Sequence, residues 1–332
     1  MGSTVPSQPT QHRRGVPERW QSQLALAPSL IAIFVFVYGF IGFTIWVSFT
    51  NWDSPRQDLS PSSPLFATWQ RLFEATRFQI DIRNTIVFTV LFLIGSVGIG
   101  LLLAIALDQS LPARGLIRNI FLFPYALSFI VTGVAWRWIF NPEAGLSKLA
   151  DILGVNWFLG LFGAGPVNID WLTDPTVLGN LPMPEAVKAQ IGIPVAMIPV
   201  IIAAVWQLSG FAMAMYLAGL GTISHDIREA AALDGASTWQ TYRHIIIPLL
   251  RPITISTLVI LGHISLKIFD LVFAMSGKGP GFATDVPGIY VYEQTFGATR
   301  YNLGAAASIF MLILVCCVMV PYLARSLRDV ER

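Results

Sequence analysis

The sequence predicts an all-α polytopic membrane protein: six transmembrane helices, a helical elbow on one face and an extended loop on the other. Three observations carry this. Hydrophobic residues fill 54% of the 332 positions and charged residues only 12%, where a soluble domain carries about a quarter. Six apolar runs reach the roughly 20 residues that cross a ~30 Å hydrocarbon core. One stretch, 226–250, interrupts the apolar pattern with spaced charges, too polar for lipid and too regular for a loop.

The composition also excludes classes. A net charge of +2 without a long basic run gives no nucleic-acid surface. Cys316 and Cys317 are adjacent inside an apolar run, which gives neither a disulfide framework nor a metal site. Residues 1–23 are polar and rich in Pro, Gln and Ser, and read as a disordered cytoplasmic tail. Arg13 and Arg14 hint at a twin-arginine signal, but the apolar run that follows is too long for a cleaved leader.

The six spans follow in order. The first is 24–50. A loop, 51–84, carries "WQRLFEATRF", whose Trp69, Leu72, Phe73 and Phe78 fall on one side of an amphipathic helix suited to a membrane surface. The core, 85–325, holds the remaining spans: 85–107, 120–140, a fourth between 193 and 223, 253–275 and 303–323. A cap over 141–192 is rich in Gly, Pro and Trp and reads as turns and short helices. A tail, 326–332, closes the chain. With the N-terminus inside, the larger share of Lys and Arg near span ends is cytoplasmic, so both termini face the cytoplasm.

The elbow, 224–250, contains two helix starts. Asp226 has the position of a first N-cap, with Glu229 three residues on. Ser237 has the position of a second, with Gln240 in the same relation. Gly235 supplies the positive φ of the turn between them, and Pro248 ends or kinks the second helix. Ala230, Ala231 and Ala232 leave room for a close neighbour, while Leu233, Trp239 and Tyr242 offer apolar anchors.

"EAAALDGASTWQTYRHIIIPLLRP" resembles the EAA loop of ABC importer permeases. "RNTIVFTV", "RNIFLFPYALS", "WRWIFNPEAG", "WLTDP", "FDLVFAMSGKGPG" and "YVYEQTF" resemble the carbohydrate-uptake branch of that family, nearest to its first, larger permease, as in the maltose importer. Three features depart from the family pattern: a longer cap around 156–169, "SGKGPG" in place of T-x-GGP, and Ser224 where Pro is common. The resemblance implies the type I ABC importer permease fold, a bacterial or archaeal cytoplasmic membrane and a non-catalytic subunit. It implies as partners a second homologous permease, an ATPase dimer, an extracytoplasmic sugar-binding protein, the sugar and membrane lipid. No cofactor is expected in this chain. It lacks a G-x-x-x-x-G-K-[ST] loop, so ATP and Mg belong to the ATPase partner. The coupling residues implied are Glu229, Ala230, Ala231, Leu233, Asp234, Gly235 and Trp239. Glu229 has two readings, a helix cap or a partner for an ATPase cation.

Polar groups inside an apolar span are expensive and point to a pathway. His263, Lys267 and Asp270 share one face of the fifth span. At 1.5 Å per residue from Arg251, His263 lies about 18 Å along it and Lys267 about 24 Å. Asp270 reads as a gate or structural carboxylate, and Lys267 as a snorkelling group or its partner. His263 either lines a cavity or satisfies a buried hydrogen bond. By resemblance, the substrate pathway takes in Tyr125, Gln207, Leu208, Phe211, His263, Ser265 and Lys267. Aromatic faces suit a pyranose, and Gln or His suits its hydroxyls. Tyr125 and Phe211 also read as ordinary helix packing. The cargo expected is a mono- or disaccharide such as glucose or an alpha-glucoside. The alternatives are an ion-coupled secondary transporter using His263, Lys267 and Asp270, and an ABC importer of a glycerol phosphate or polyol.

Overall fold

The computed structural model describes residues 18–109, 113–162, 170–181 and 187–330, and the chain divides into two units, Met1–Trp46 and Val47–Arg332. The described part of the first unit is a single helical run: α1 (Glu18–Ile33), a π-helical stretch (Phe34–Gly39) and the start of α2 (Phe40–Val47). Its apolar part, Leu26–Val47, is 22 residues long, enough for one crossing. The polar tail expected over 1–23 lies outside the described residues up to 17, and the helix has already begun at Glu18.

The second unit contains α3 (Ala67–Glu74), α4 (Thr76–Asp108), α5 (Arg114–Leu122), α6 (Phe129–Ile139), α7 (Leu146–Ile152), α8 (Val155–Leu161), β1 (Val177–Leu181) and β2 (Ile191–Pro194). These are followed by α9 (Met197–Leu220), α10 (His225–Leu233), α11 (Thr238–Thr241), α12 (Ile247–Leu249), α13 (Arg251–Leu266), α14 (Asp270–Met275), α15 (Pro287–Tyr292) and α16 (Tyr301–Val330). Among the described residues, four helical stretches are long and apolar enough to cross a membrane, and the number reaches six if each of two bent pairs is one crossing. The tail expected after residue 325 is helical as far as Val330.

Both bent pairs correct an expectation of straight helices. The span expected over 120–140 turns by 100° between α5 and α6. Pro124 sits in a tight 3₁₀ turn, Phe123–Ala126, and Leu127 is extended. Ser128 then starts α6 afresh, its hydroxyl accepting from the Val131 amide at 3.3 Å. Proline lacks an N–H and crowds the preceding turn, so apolarity alone does not make the run continuous. The span expected over 253–275 stops at Leu266, and α14 begins only at Asp270. At its start, Pro248 and Pro252 flank a 63° bend between the α11–α12 run and α13.

The core is organised along α4, which packs lengthwise on α9. Close approach requires glycine. A methyl at Gly95 would press on the Val205 side chain, and one at Gly100 on Ala212 and the Met213 backbone. Phe88 and Phe92 stack at 5.5 Å in the central cluster with Met197, Leu208, Leu261 and Leu271. Towards the elbow, Leu107, Tyr216, Leu220, Tyr242, Ile246 and Leu250 form a second cluster. At the opposite, cap end, Leu72, Phe78, Tyr290, Leu303, Ala306 and Ala307 form a third.

The amphipathic segment around 69–78 is not one surface helix. Ala75 is extended with ψ 115, so α3 ends before it and Phe78 belongs to α4. Leu72 and Phe78 turn into the cap-end cluster instead of onto a membrane surface. The cap contains the expected short helices α7 and α8 and a 3₁₀ turn, Trp171–Thr173. It also contains an antiparallel pairing of β1 with β2, Leu178 opposite Ile193, which turn-rich composition did not suggest. The cap residues 163–169 and 182–186 lie outside the described residues.

Candidate functional site: the elbow and the polar track above it

The elbow is built from α10, α11, a π-helical stretch (Tyr242–Ile246) and α12. Gly235 makes the turn with φ +77, a conformation that costs other residues about 1–2 kcal/mol. Ser237 and Gln240 form a complete capping box: the Gln240 side chain accepts from the Ser237 amide at 2.8 Å, and the Ser237 hydroxyl accepts from the Gln240 amide at 3.4 Å. The first cap differs from expectation. Helix α10 starts two residues earlier, with Ser224 at its N-cap position, so Asp226 falls in the first turn and not ahead of it. There its charge favours the positive end of the helix dipole. Glu229 pairs instead with His225, 3.4 Å away across one exposed turn.

Three residues hold the elbow to the bundle. The Asp108 carboxylate, at the end of α4, accepts from Arg228 Nη1 and from the Tyr242 hydroxyl, both at 2.6 Å on the same Oδ2. The guanidinium also lies 5.9 Å from the Tyr242 ring centre. Tyr242 is therefore an inward anchor, buried with Ile246 and Leu250, and not an outward one. Ala231 is buried as well, while Glu229, Ala230, Asp234 and Gly235 are exposed. Leu233 and Trp239 are the notable surface residues, 89% and 67% exposed. They form an apolar pair displayed on an otherwise polar, clamped elbow. Sequence reasoning missed the clamp, since Asp108 directly follows the span expected over 85–107 and lies 120 positions from Arg228.

The polar track lies along α9 and α13. The Tyr125 and Phe211 rings stack at 5.3 Å. Gln207, one helical turn before Phe211, is buried; its amide nitrogen donates to the Leu127 carbonyl at 2.8 Å, and its Oε1 has no donor. The bend after Pro124 is what brings Tyr125 and the Leu127 carbonyl to α9. Leu208 points into the central core. On α13, His263 is half-buried with an unpartnered Nδ1, and Ser265 is buried with its hydroxyl donating to the Gly262 carbonyl at 2.8 Å. Lys267 is exposed at the end of α13, and Asp270 is exposed at the start of α14. The structure thus joins Tyr125, Phe211 and Gln207. Among the described residues, no hydrogen bond or ring contact ties His263 or Lys267 to them.

At the cap end, a pocket of about 480 Å³ opens between the end of α6, the Trp171–Thr173 turn and the 276–280 loop, with Arg137, Asn141, Ser276 and Lys278 on its wall. Helix α4 holds the segment that follows that loop and the cap residue Gln190. Asn84 donates to the Phe282 and Asp285 carbonyls at 2.9 and 2.8 Å, and Arg83 donates to the Gln190 carbonyl at 2.7 Å.

The helical bundle, the clamped elbow and the cap define a membrane transport subunit, and comparison with known proteins gives its family. Residues 96–328 match the family described as binding-protein-dependent transport system inner membrane component. A probable ABC transporter permease protein of Pyrococcus horikoshii is 36% identical, over 93% of this chain and 96% of that one. A xylose/arabinose import permease protein of Haloferax volcanii is 31% identical, over 86% and 82%. The fold is that of a subunit in the crystal structure of a bacterial ABC transporter involved in import of the acidic polysaccharide alginate. The TM-score there is 0.69 at 23% identity, covering 94% of this chain and 96% of the other. The chain belongs to the binding-protein-dependent transport system inner membrane component family, as an ABC transporter permease. That membership sets aside the ion-coupled secondary transporter.

Proposed function

We propose that this chain is the transmembrane permease subunit of an ATP-driven sugar importer, forming half of a translocation pathway with a second, homologous permease. The observation that carries the reading is the elbow: Leu233 and Trp239 are displayed outward while Asp108 holds their support to α4. In this reading the exposed pair seats in a cleft of a separate ATPase dimer, which binds ATP and Mg and does the hydrolysis. Closure of that dimer moves the elbow, and the Asp108 clamp passes the movement to the bundle. Alternating access then follows from the ATPase favouring one of two arrangements. The elbow and both termini face the cytoplasm of a bacterial or archaeal cell. The cap end, with its 480 Å³ pocket, faces outward and meets a sugar-binding protein. Tyr125 and Phe211 offer ring faces, Gln207 an unpaired acceptor and His263 an unpaired ring nitrogen. That combination fits a mono- or disaccharide better than an ion.

The test is purification of the chain from its native membrane, followed by an ATPase assay with candidate sugars and the extracytoplasmic fraction. Co-purifying ATPase and permease chains, with turnover raised by one sugar, support the reading and name the cargo. Stimulation by a glycerol phosphate and by no sugar overturns the cargo class, and a chain that purifies alone overturns the subunit role.

A further inference from the structure

Two carboxyl groups meet in the interior of the cap end. Asp81, near the start of α4, and Asp285, just after the 276–284 loop, are both 0% exposed. Their side chains lie within hydrogen-bonding reach of each other. Asp285 has donors for both oxygens: Arg77 Nε reaches Oδ2 at 2.6 Å, and the Val286 amide reaches Oδ1 at 3.1 Å. Among the described residues Asp81 has none; neither of its oxygens meets an N–H or O–H. Most of the other charged groups facing the pair are committed elsewhere, though the Arg77 Nη2 is buried without an acceptor among the described residues and is not bonded to Asp81. Arg77 Nη1 bonds Glu293 at 2.7 Å, and Lys278 bonds the other Glu293 oxygen at 3.3 Å. Arg83 spends its nitrogens on the Asn84 side chain and the Gln190 carbonyl. Tyr290 is buried beside the pair, its ring 5.3 Å from the Arg77 guanidinium, and it feels the charges of Asp81, Arg77, Arg300 and Asp285. Among the described residues, no group of three or more His, Cys, Asp or Glu side chains is placed to hold a metal ion.

A buried ionised carboxylate without a donor is among the costliest arrangements a protein can hold, and such a group takes up a proton instead. The occupancy of the oxygens settles which acid carries it. Asp285 already meets a donor on each oxygen as an anion and has lone pairs left for one more; Asp81 becomes satisfied only when it turns from acceptor to donor. We propose that the cap-end hub is a proton-binding site, in which Asp81 takes a proton from water and donates it to ionised Asp285, fastening the 276–286 loop to α4. The long α4 places this outside the apolar stretch, because Asp81 precedes the uncharged run that starts at Thr85. Burial pushes the Asp285 carboxyl up from its ordinary value, against the pull of Arg77. Burial also acts upward on Glu293, but its bonds to Arg77 and Lys278 outweigh that and hold it below the usual range. A raised carboxyl contributes stability that is complete at acid pH and is lost as pH rises through its folded-state value. The proton lost as pH rises is the one Asp81 donates to Asp285, so the hub loosens on the alkaline side, and with it the loop that walls the 480 Å³ pocket. A consequence for sugar-stimulated turnover rests on the importer reading above; the proton site does not.

The test uses the full chain in lipid nanodiscs, by infrared spectroscopy and hydrogen exchange corrected for intrinsic pH dependence. Wild type is expected to show a protonated-carboxyl C=O band at neutral pH. The band should disappear as pH is raised, and exchange in 276–286 should rise about tenfold in step, the size expected for one charge-assisted hydrogen bond. Asp81→Asn keeps a donor without a titrating proton, so it should lack the band and stay protected at alkaline pH. Identical neutral-pH spectra for the two proteins, or equal alkaline loosening, would overturn the proposal. If the variant does not fold, the wild-type titration decides alone: no band at neutral pH, or one that persists after the loop has loosened, is the adverse result. Neither readout depends on transport, so loss of the importer reading would leave this test standing.

Discussion

Asp108→Ala removes the acceptor that serves both Arg228 and Tyr242. Two bonds to one charged group are lost, each worth about 1.5–3 kcal/mol when well buried. Asp108 is 13% exposed and Arg228 27%, which places the ion pair at the low end of that range. The elbow should lose about 3 kcal/mol of local stability, a factor of about a hundred in its opening equilibrium. The loss is local, because Tyr242, Ile246 and Leu250 keep their apolar cluster. Hydrogen exchange resolved by segment is the suitable assay. Amides of α10 and α11 should exchange about a hundred times faster, while those of α9 stay within a few-fold. Asp108→Asn keeps one acceptor without the charge and should fall about half-way on the energy scale. Elbow exchange unchanged in a folded Asp108→Ala protein would refute the clamp and the route by which the elbow moves the bundle.

Three further outcomes are expected. Gly235→Asp forces a side chain into the left-handed region at φ +77, which should cost about 1–2 kcal/mol and abolish co-purification of ATPase chains, whereas Gly235→Asn should retain part of it. Leu233→Glu and Trp239→Ala change exposed groups and should shift stability by under about 0.5 kcal/mol, yet each should lower ATPase recovery in a pull-down at least several-fold. Gly210→Ala places a methyl onto the Phe121 carbonyl oxygen, so a thermal melt of the purified chain should register about 1–3 kcal/mol of destabilisation from overpacking between α5 and α9.

What could be read in advance was whatever leaves a local signature. The Ser237–Gln240 box and the Gly235 turn are set by residues a few positions apart, and they formed as their spacing dictates. Apolar length revealed α4, α9 and α16 for the same reason. It did not reveal direction: a chain that doubles back at Pro124 stays as apolar as a straight one, and the signal lay in the proline itself. The clamp and the hub were illegible because their partners are remote. Arg228 and Asp108 are 120 positions apart, and Arg77 and Asp285 are 208 apart. A single charge at a span end looks the same whether it meets water or an arginine. Asp81 in particular sits in a polar-looking stretch where nothing local announces complete burial.

Helix α4 has a use that its packing alone does not suggest. It is one unbroken cylinder of 33 residues, about 50 Å long. Near its middle, Gly95 and Gly100 rest against α9; one end carries Asp108, the other Arg77, Asp81, Arg83 and Asn84. A stiff rod that packs along α9 and is held by polar contacts at both tips can tilt as one body. A rocking of about 5° around its middle swings each tip by about 2 Å, in opposite senses. A displacement at the elbow would then arrive at the cap through the stiffness of a single helix, with no relay of side chains between them.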